Sequence, residues 1–169
     1  VYSGYSGPDY GLSSTNSALR YAYGDSPLGP WKSGGVLVDS RSVVPSQDGS
    51  TLQTTYSGHN THGSIELIND QWYVFYHRSS QASNFNRRVC VEPITFHTDG
   101  SIDEVEMSTQ GAAGPLDATQ SLDAWRACLL SGTVRTEAVG PTGADPSVSE
   151  HLTQIHAGDW AAFKHLDFG

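Results

Sequence analysis

Apolar and polar positions alternate along most of the chain, and helical spacing is almost absent. In ALRYAYG (18–24), Leu19, Tyr21 and Tyr23 recur at every second residue, the period of a strand with one buried face. DSPLGPW (25–31) interrupts it. Proline fixes φ and glycine permits positive φ, so a turn is predicted there. SGGVLVD (33–39) reads as a second short strand, and RSVVPSQDGSTLQTT (41–55) as a polar loop without a period.

The clearest unit is SIELI (64–68), then Asn69-Asp70, then QWYVFYHR (71–78). Asn and Asp tolerate the left-handed backbone of a two-residue turn, so a hairpin is predicted. Trp72, Tyr73, Phe75 and Tyr76 fall on both faces of the second strand, which predicts cover on both sides. A second hairpin is predicted from RVCVEPITF (88–96), HTDG (97–100) and SIDEVEM (101–107). Pro93 has no N–H for a ladder and marks an edge strand or a bulge. Beyond STQG (108–111), AAGPLDATQSLDAWRACLLSG (112–132) reads as a linker into a new unit. TVRTEAV (133–139) and DWAAFKHLDFG (159–169) are strand-like and separated by a polar loop. Hairpins joined by Gly/Pro loops fit a sandwich, a barrel or a propeller.

Composition narrows the picture. The chain has 169 residues, only 16 % of them charged, with four Trp and eight Tyr. That excludes a disordered, highly charged chain and a helical bundle. A net charge of −9 leaves no basic stripe for phosphates, so no nucleic-acid partner is expected. An acidic, aromatic-rich surface is compatible with a neutral ligand such as a glycan. Cys90 and Cys128 are too few for a disulfide framework and lack C-x-x-C spacing. Cys90 sits in an apolar run and is expected as a buried free thiol. No run approaches a membrane span, so no membrane partner is expected. VYSGYSG at the start and KHLDFG at the end both read as mid-strand, which suggests a fragment of a longer protein.

Four sets of residues could carry chemistry. GHNTHGS (58–64) holds His59 and His62 in an H-x-x-H spacing without a Cys or Glu partner, which gives no support to a zinc protease. A metal ligand, a substrate contact and a loop histidine all remain open. Gly58, Asn60, Thr61 and Gly63 permit a tight turn that would aim an imidazole just ahead of a strand. Asp9, Asp25, Asp39, Glu66 and Glu92 are the carboxylates that a glycoside hydrolysis would draw on, since it needs one as acid and one as base. Asp25 is a turn former, Asp39 closes a strand and Glu66 lies on a polar face. Glu92, beside Pro93, is the candidate for burial. Arg87 and Arg88 point to opposite faces, so one could reach a cleft and hold hydroxyls or a carboxylate. Two surface arginines is the alternative. Trp31 and Trp160 could stack on a sugar.

Together, YAYGDSPLGPWKSGGVLVDS (21–40), HGS running into QWYVFYHR, and RRVCVEPITFHTDGSIDEV (87–105) resemble glycoside hydrolase family 43. Their order suits the last part of that family's five-bladed propeller, across residues 1 to about 110. Residues 121–169 are similar to the start of a family 6 carbohydrate-binding module. The resemblance implies an all-β fold: the last blades of a partial five-bladed β-propeller in 1–110, then a linker and an incomplete β-sandwich in 111–169. It implies part of a secreted, inverting α-L-arabinofuranosidase or β-xylosidase acting on plant-wall polysaccharide. In the family one Asp is the general base, a Glu is the acid and a second Asp raises that acid's pKa. By the family's order all three fall outside these residues, so neither Glu66 nor Glu92 is assigned and no catalytic residue is expected here. His62 matches the axial histidine that meets a calcium ion, commonly through water, or faces the sugar. Arg87 matches the arginine of the terminal sugar subsite, while His59 has no counterpart. The rival readings are a non-catalytic carbohydrate-binding β-protein and an adhesive β-repeat protein. A metalloprotease on His59 and His62 has the least support.

Overall fold

The computed structural model describes residues 1–41, 43–45, 52–54, 61–78, 87–138 and 150–169. It is all-β, as expected, with only single-turn helices between strands. Two open three-stranded antiparallel sheets form the first two thirds. β1 (Tyr2–Ser6), β2 (Thr15–Tyr23) and β3 (Lys32–Asp39) make the first, in the order β1-β2-β3. β4 (Val43–Pro45) and β5 (Leu52–Thr54) then pair with each other. This corrects the expected loop over 41–55: segments of three residues are too short to display a period of two. β6 (Gly63–Ile68), β7 (Gln71–Arg78) and β8 (Arg88–Ile94) make the second sheet.

The 69–70 turn closes as predicted, with Asn69 at φ 49 and Asp70 at φ 63. Both central residues of a type I′ two-residue turn need positive φ, and Asn and Asp accept it. The register that follows sets Ser64 against Phe75 and Tyr76 against Cys90. Residues directly opposite share a face, so Val74, Tyr76, Arg78, Cys90, Glu92 and Ile94 lie on one side. Val74, Tyr76, Arg78, Glu92 and Ile94 are buried there, while Tyr73, Phe75 and His77 on the other side remain partly open. The expectation of full cover on both faces of β7 is therefore corrected. The aromatics of the open face are not core residues. Pro93 does lie on an edge strand, since among the described residues β8 pairs only with β7.

The second predicted hairpin forms only at its tip, where Gly100 N–H donates to His97 O at 3.0 Å and His97 N–H donates to Ser101 O at 2.8 Å. Beyond that tip, among the described residues, 101–107 meets the β8 segment only in the Phe96–Ile102 bridge. Its polar groups go to the first sheet instead. The Tyr21 hydroxyl donates to Ile102 O at 2.7 Å and accepts from Ile102 N–H at 2.8 Å. Val105 N–H donates to Leu37 O at 2.7 Å. The segment thus stitches the two sheets rather than continuing as a paired strand. Gly34 makes room for that anchor, because a Cβ there would stand 2.0 Å from the Tyr21 ring.

β9 (Leu116–Asp117), β10 (Leu129–Leu130), β11 (Arg135–Ala138), β12 (Glu150–Thr153), β13 (Ala161–Ala162) and β14 (Leu166–Asp167) follow as short pairs. These are β9 with β14, β10 with β13, and β11 with β12. Ala127, Cys128, Leu129, Leu130 and Val134 join Leu19, Leu37, Val74 and Tyr76 in one buried cluster. Each fully buried Leu or Val there contributes about 1.5–3 kcal/mol. Polar groups bridge the same seam. The buried Arg78 guanidinium donates to Ala127 O at 3.2 Å, Cys128 O at 3.4 Å and Met107 Sδ at 3.3 Å. Arg88, on the same face, pairs with Glu150 and stacks 5.1 Å from the Trp125 ring. Both cysteines are free, Cys128 buried and Cys90 partly so, and burial raises both thiol pKa values. Among the described residues no helix is long and apolar enough to cross a membrane.

Candidate functional site

The loop that carries His62 is held from both sheets. Thr61 is fully buried. Its N–H donates to Asn16 O at 3.3 Å, and its hydroxyl donates to Ser17 O at 2.7 Å beside Ser40 Oγ. These bonds tie residue 61 to β2 and to the end of β3. Next comes Gly63, the first residue of β6. A Cβ at that position would lie 2.1 Å from Phe75 O on the neighbouring strand β7 and 3.0 Å from Leu19 Cδ2 of the first sheet, so only glycine fits there. His62 is therefore fixed between a buried threonine and an obligatory glycine.

Counting back from the Gly63–Tyr76 pair sets His62 opposite His77. His62 N–H donates to His77 Nε2 at 3.2 Å, and His62 Nδ1 lies 3.3 Å from the same nitrogen. The rings are 5.6 Å apart. Val89 stands opposite His77 on β8, and Arg87, two residues earlier, falls on that same face. Both His62 and Arg87 are exposed, so the structure brings the two sequence-predicted site residues to one open face. Arg88 takes the opposite face, as the alternation predicts, but there it is largely covered rather than facing solvent as expected. His59 lies outside the described residues.

His77 was not picked out from sequence, although the signal was present. A two-residue turn at 69–70 makes 62 and 77 partners by simple counting. Its pKa is lowered, first by burial, then by the Arg87 charge and by His62. A neutral His77 whose Nε2 accepts an amide carries its proton on Nδ1. His62 can direct its own Nδ1–H at the same acceptor, which leaves His62 Nε2 with a lone pair for a hydroxyl donor. Beside it, the Arg87 guanidinium offers donors only. The face can thus accept from one hydroxyl and donate to another, which suits a vicinal diol.

The carboxylates are engaged elsewhere. Glu92, 2 % exposed, accepts from Ser108 N–H and Ser108 Oγ–H, both at 2.6 Å. Burial raises its pKa and the Ser108 bonds pull it back down. Asp39 is buried against Arg41 at 2.9 Å and accepts from Ser6 Oγ at 2.5 Å. Glu66 is exposed on the edge strand β6, and Asp25 sits exposed in its turn. Nothing is described of the Asp9 side chain. A calcium ion takes six to eight oxygen ligands. His62, His77 and Arg87 provide nitrogen and no carboxylate, so by themselves they do not fit one. Among the described residues no group of three or more His, Cys, Asp or Glu side chains could hold a metal.

The fold and the site together describe a β-protein with an open sheet face that carries two histidines and an arginine among aromatic and apolar side chains. Comparison with known proteins is more specific. A xylosidase/arabinosidase of Thermoclostridium stercorarium is 39 % identical over 113 residues, covering 66 % of this chain and 24 % of that protein. An arabinoxylan arabinofuranohydrolase of Paenibacillus polymyxa is 27 % identical over 163 residues, covering 89 % and 23 %. No family model matches the chain. Among solved structures, the GH43_1 enzyme of Xanthomonas citri is 30 % identical, covering 54 % of this chain and 24 % of that one, with a TM-score of 0.40. An arabinoxylan arabinofuranohydrolase of Bacillus subtilis, solved with cellotetraose, is 25 % identical, covering 90 % and 31 %, with a TM-score of 0.44. A β-xylosidase/α-arabinofuranosidase from a compost metagenome, solved with xylotriose in a calcium-free form, is 28 % identical, covering 56 % and 26 %, with a TM-score of 0.40. Over the part these relatives match, the chain is similar to xylosidases and arabinofuranohydrolases, with glycoside hydrolase family 43 enzymes among the solved structures it resembles. It spans about a quarter of the length of the curated relatives it matches.

Proposed function

We propose that these residues are the C-terminal blades of a secreted, inverting glycosidase that cleaves arabinofuranosyl or xylosyl linkages in plant-wall polysaccharide. Residues 1–110 form the blades, and 111–169 form a linker and the start of a sugar-binding sandwich. The observation that carries the reading is the convergence of His62 and Arg87 on one open sheet face, within a chain related to xylosidases and arabinofuranohydrolases. In this reading both residues bind substrate. His62 accepts a sugar hydroxyl at Nε2, and Arg87 donates to the terminal sugar. The acid and base come from other blades, since Glu92 and Asp39 are already committed to Ser108 and Arg41. The calcium-free form of one related enzyme keeps the ion within the proposal. Its oxygen ligands would come from other blades, with His62 meeting it only through water.

The test is direct. The full-length protein is assayed on aryl α-L-arabinofuranoside and aryl β-xyloside, with product anomers followed by NMR. Hydrolysis with inversion is expected; no hydrolysis of either sinks the reading. The isolated 169 residues should be inactive and should associate through their unpaired strand edges. Turnover by them alone would refute the placement of the carboxylates.

A further inference from the structure

We infer that His77 is a positioning residue for His62, holding both its backbone and its ring from the neighbouring strand; this rests on the proposed sugar contact of His62. Three observations converge. The hairpin register puts the two residues directly opposite, so no adjustable loop separates them. One nitrogen of His77 meets both the His62 amide, at 3.2 Å, and His62 Nδ1, at 3.3 Å. That shared acceptor fixes the His62 tautomer and leaves Nε2 as the outward acceptor. The third observation is a penalty. His77 Nδ1 is shielded from solvent and has no hydrogen-bond partner among the described residues. Buried polar atoms in native proteins are nearly always paired, and an exception points to a role other than stability. A leucine at this place would leave no such orphan. It would also release the ring of His62.

The other neighbours of His77 explain why histidine suits the place. Val89 stands opposite it in the register, is largely exposed, and has no side-chain group that could compete for a hydrogen bond. Arg87, on the same face, offers donors only and cannot take over the acceptor role of His77. A carboxylate at position 77 would accept as well, but it would draw the Arg87 guanidinium to itself and away from the sugar. A neutral acceptor with the reach of Nε2 is what both substrate-facing residues require.

Reach separates positioning from a general need for polarity. In the full-length enzyme, His77→Gln places an oxygen where Nε2 stands, whereas the shorter Asn of His77→Asn stops at the Nδ1 position. Gln is expected to keep KM within about twofold of wild type. Asn is expected to raise KM about five- to tenfold with kcat nearly unchanged, the signature of lost ground-state binding. In the His62→Ala background the Asn substitution should add nothing further. Equal KM values for the Gln and Asn variants, or full additivity with His62→Ala, would overturn the inference. Crystal structures of the same two variants read the geometry independently of activity. His62 should keep its ring orientation with Gln and lose it with Asn, and an unmoved ring in both refutes positioning. Wild type that cleaves neither glycoside overturns the glycosidase reading instead, and the ring orientations still decide the role of His77.

Discussion

Glu92 has the features of a general acid, being a buried carboxyl with a raised pKa, and its structural role can be tested against that appearance. Its two oxygens hold Ser108 N–H and Ser108 Oγ–H at 2.6 Å and so pin the chain that runs from 101–107 toward the second unit. Glu92→Ala removes both bonds and strands a buried N–H. Two hydrogen bonds to a charged group contribute about 1.5–3 kcal/mol each, and the orphaned donor costs about 1–3 kcal/mol, with overlap between the terms. A loss of about 3–5 kcal/mol is expected in denaturant unfolding of the full-length protein. Glu92→Gln keeps an oxygen for Ser108 N–H and turns its amide toward the hydroxyl, so it should cost under about 1 kcal/mol at neutral pH.

The pH dependence gives a second reading. The folded pKa of Glu92 is raised, chiefly by burial, so the folded state holds the proton to higher pH than the unfolded state does. Between the ordinary carboxylate pKa and the raised value the unfolded state binds fewer protons, and stability falls as pH rises. Glu92→Gln lacks this term. Its stability relative to wild type should therefore improve as pH climbs through that window and level off above it. An assay on the parent enzyme completes the test. Glu92→Gln should retain kcat within about threefold, since general acid catalysis is worth 10²–10⁴-fold. A fall of that size at unchanged stability would refute the structural assignment and make Glu92 the acid.

Other outcomes follow from single contacts. Gly63→Ala drives a Cβ to 2.1 Å from the Phe75 carbonyl oxygen and should destabilise by about 2–4 kcal/mol, with His62 displaced and sugar affinity lost; unfolding and KM report the two effects together. Asp70→Gly relieves a positive φ in the hairpin and should gain about 0.5–1 kcal/mol, read as a shift in the unfolding midpoint. Cys90 and Cys128, whose thiol pKa values burial raises, should resist alkylation at pH 8 in the folded protein and react fully in denaturant. Arg87→Lys keeps the charge but loses the fork, and should raise KM for the terminal sugar about tenfold with little change in stability, because the side chain is exposed.

Much of this molecule could be read from local pattern. The alternation of 18–24 and 71–78, the Asn69-Asp70 turn and the edge position of Pro93 all depend on neighbours in sequence, and each formed as the pattern predicts. The same hairpin register already implied that His62 and His77 meet. Long-range competition was not legible. The 101–107 stretch has the alternation of a hairpin partner, yet Tyr21 and Leu37 offered its polar groups other partners. The aromatics of β7 look alike along the chain, and only the packing of 102–134 on one side decided which became core.

The site divides the same way. Sequence determined which residues could serve: a histidine beside a glycine, an arginine at a strand start, and carboxylates scattered among strands. Their chemistry was set by tertiary structure, because burial and partner choice depend on surfaces distant in the chain. Glu92 became a clamp when Ser108 reached it, and Asp39 an ion-pair partner when Arg41 closed over it. His62 became an exposed side chain held in one place once Thr61 was drawn to β2 and His77 met it across the hairpin. A side chain's type comes from its own position, whereas its protonation, direction and free lone pairs come from whatever the fold packs against it.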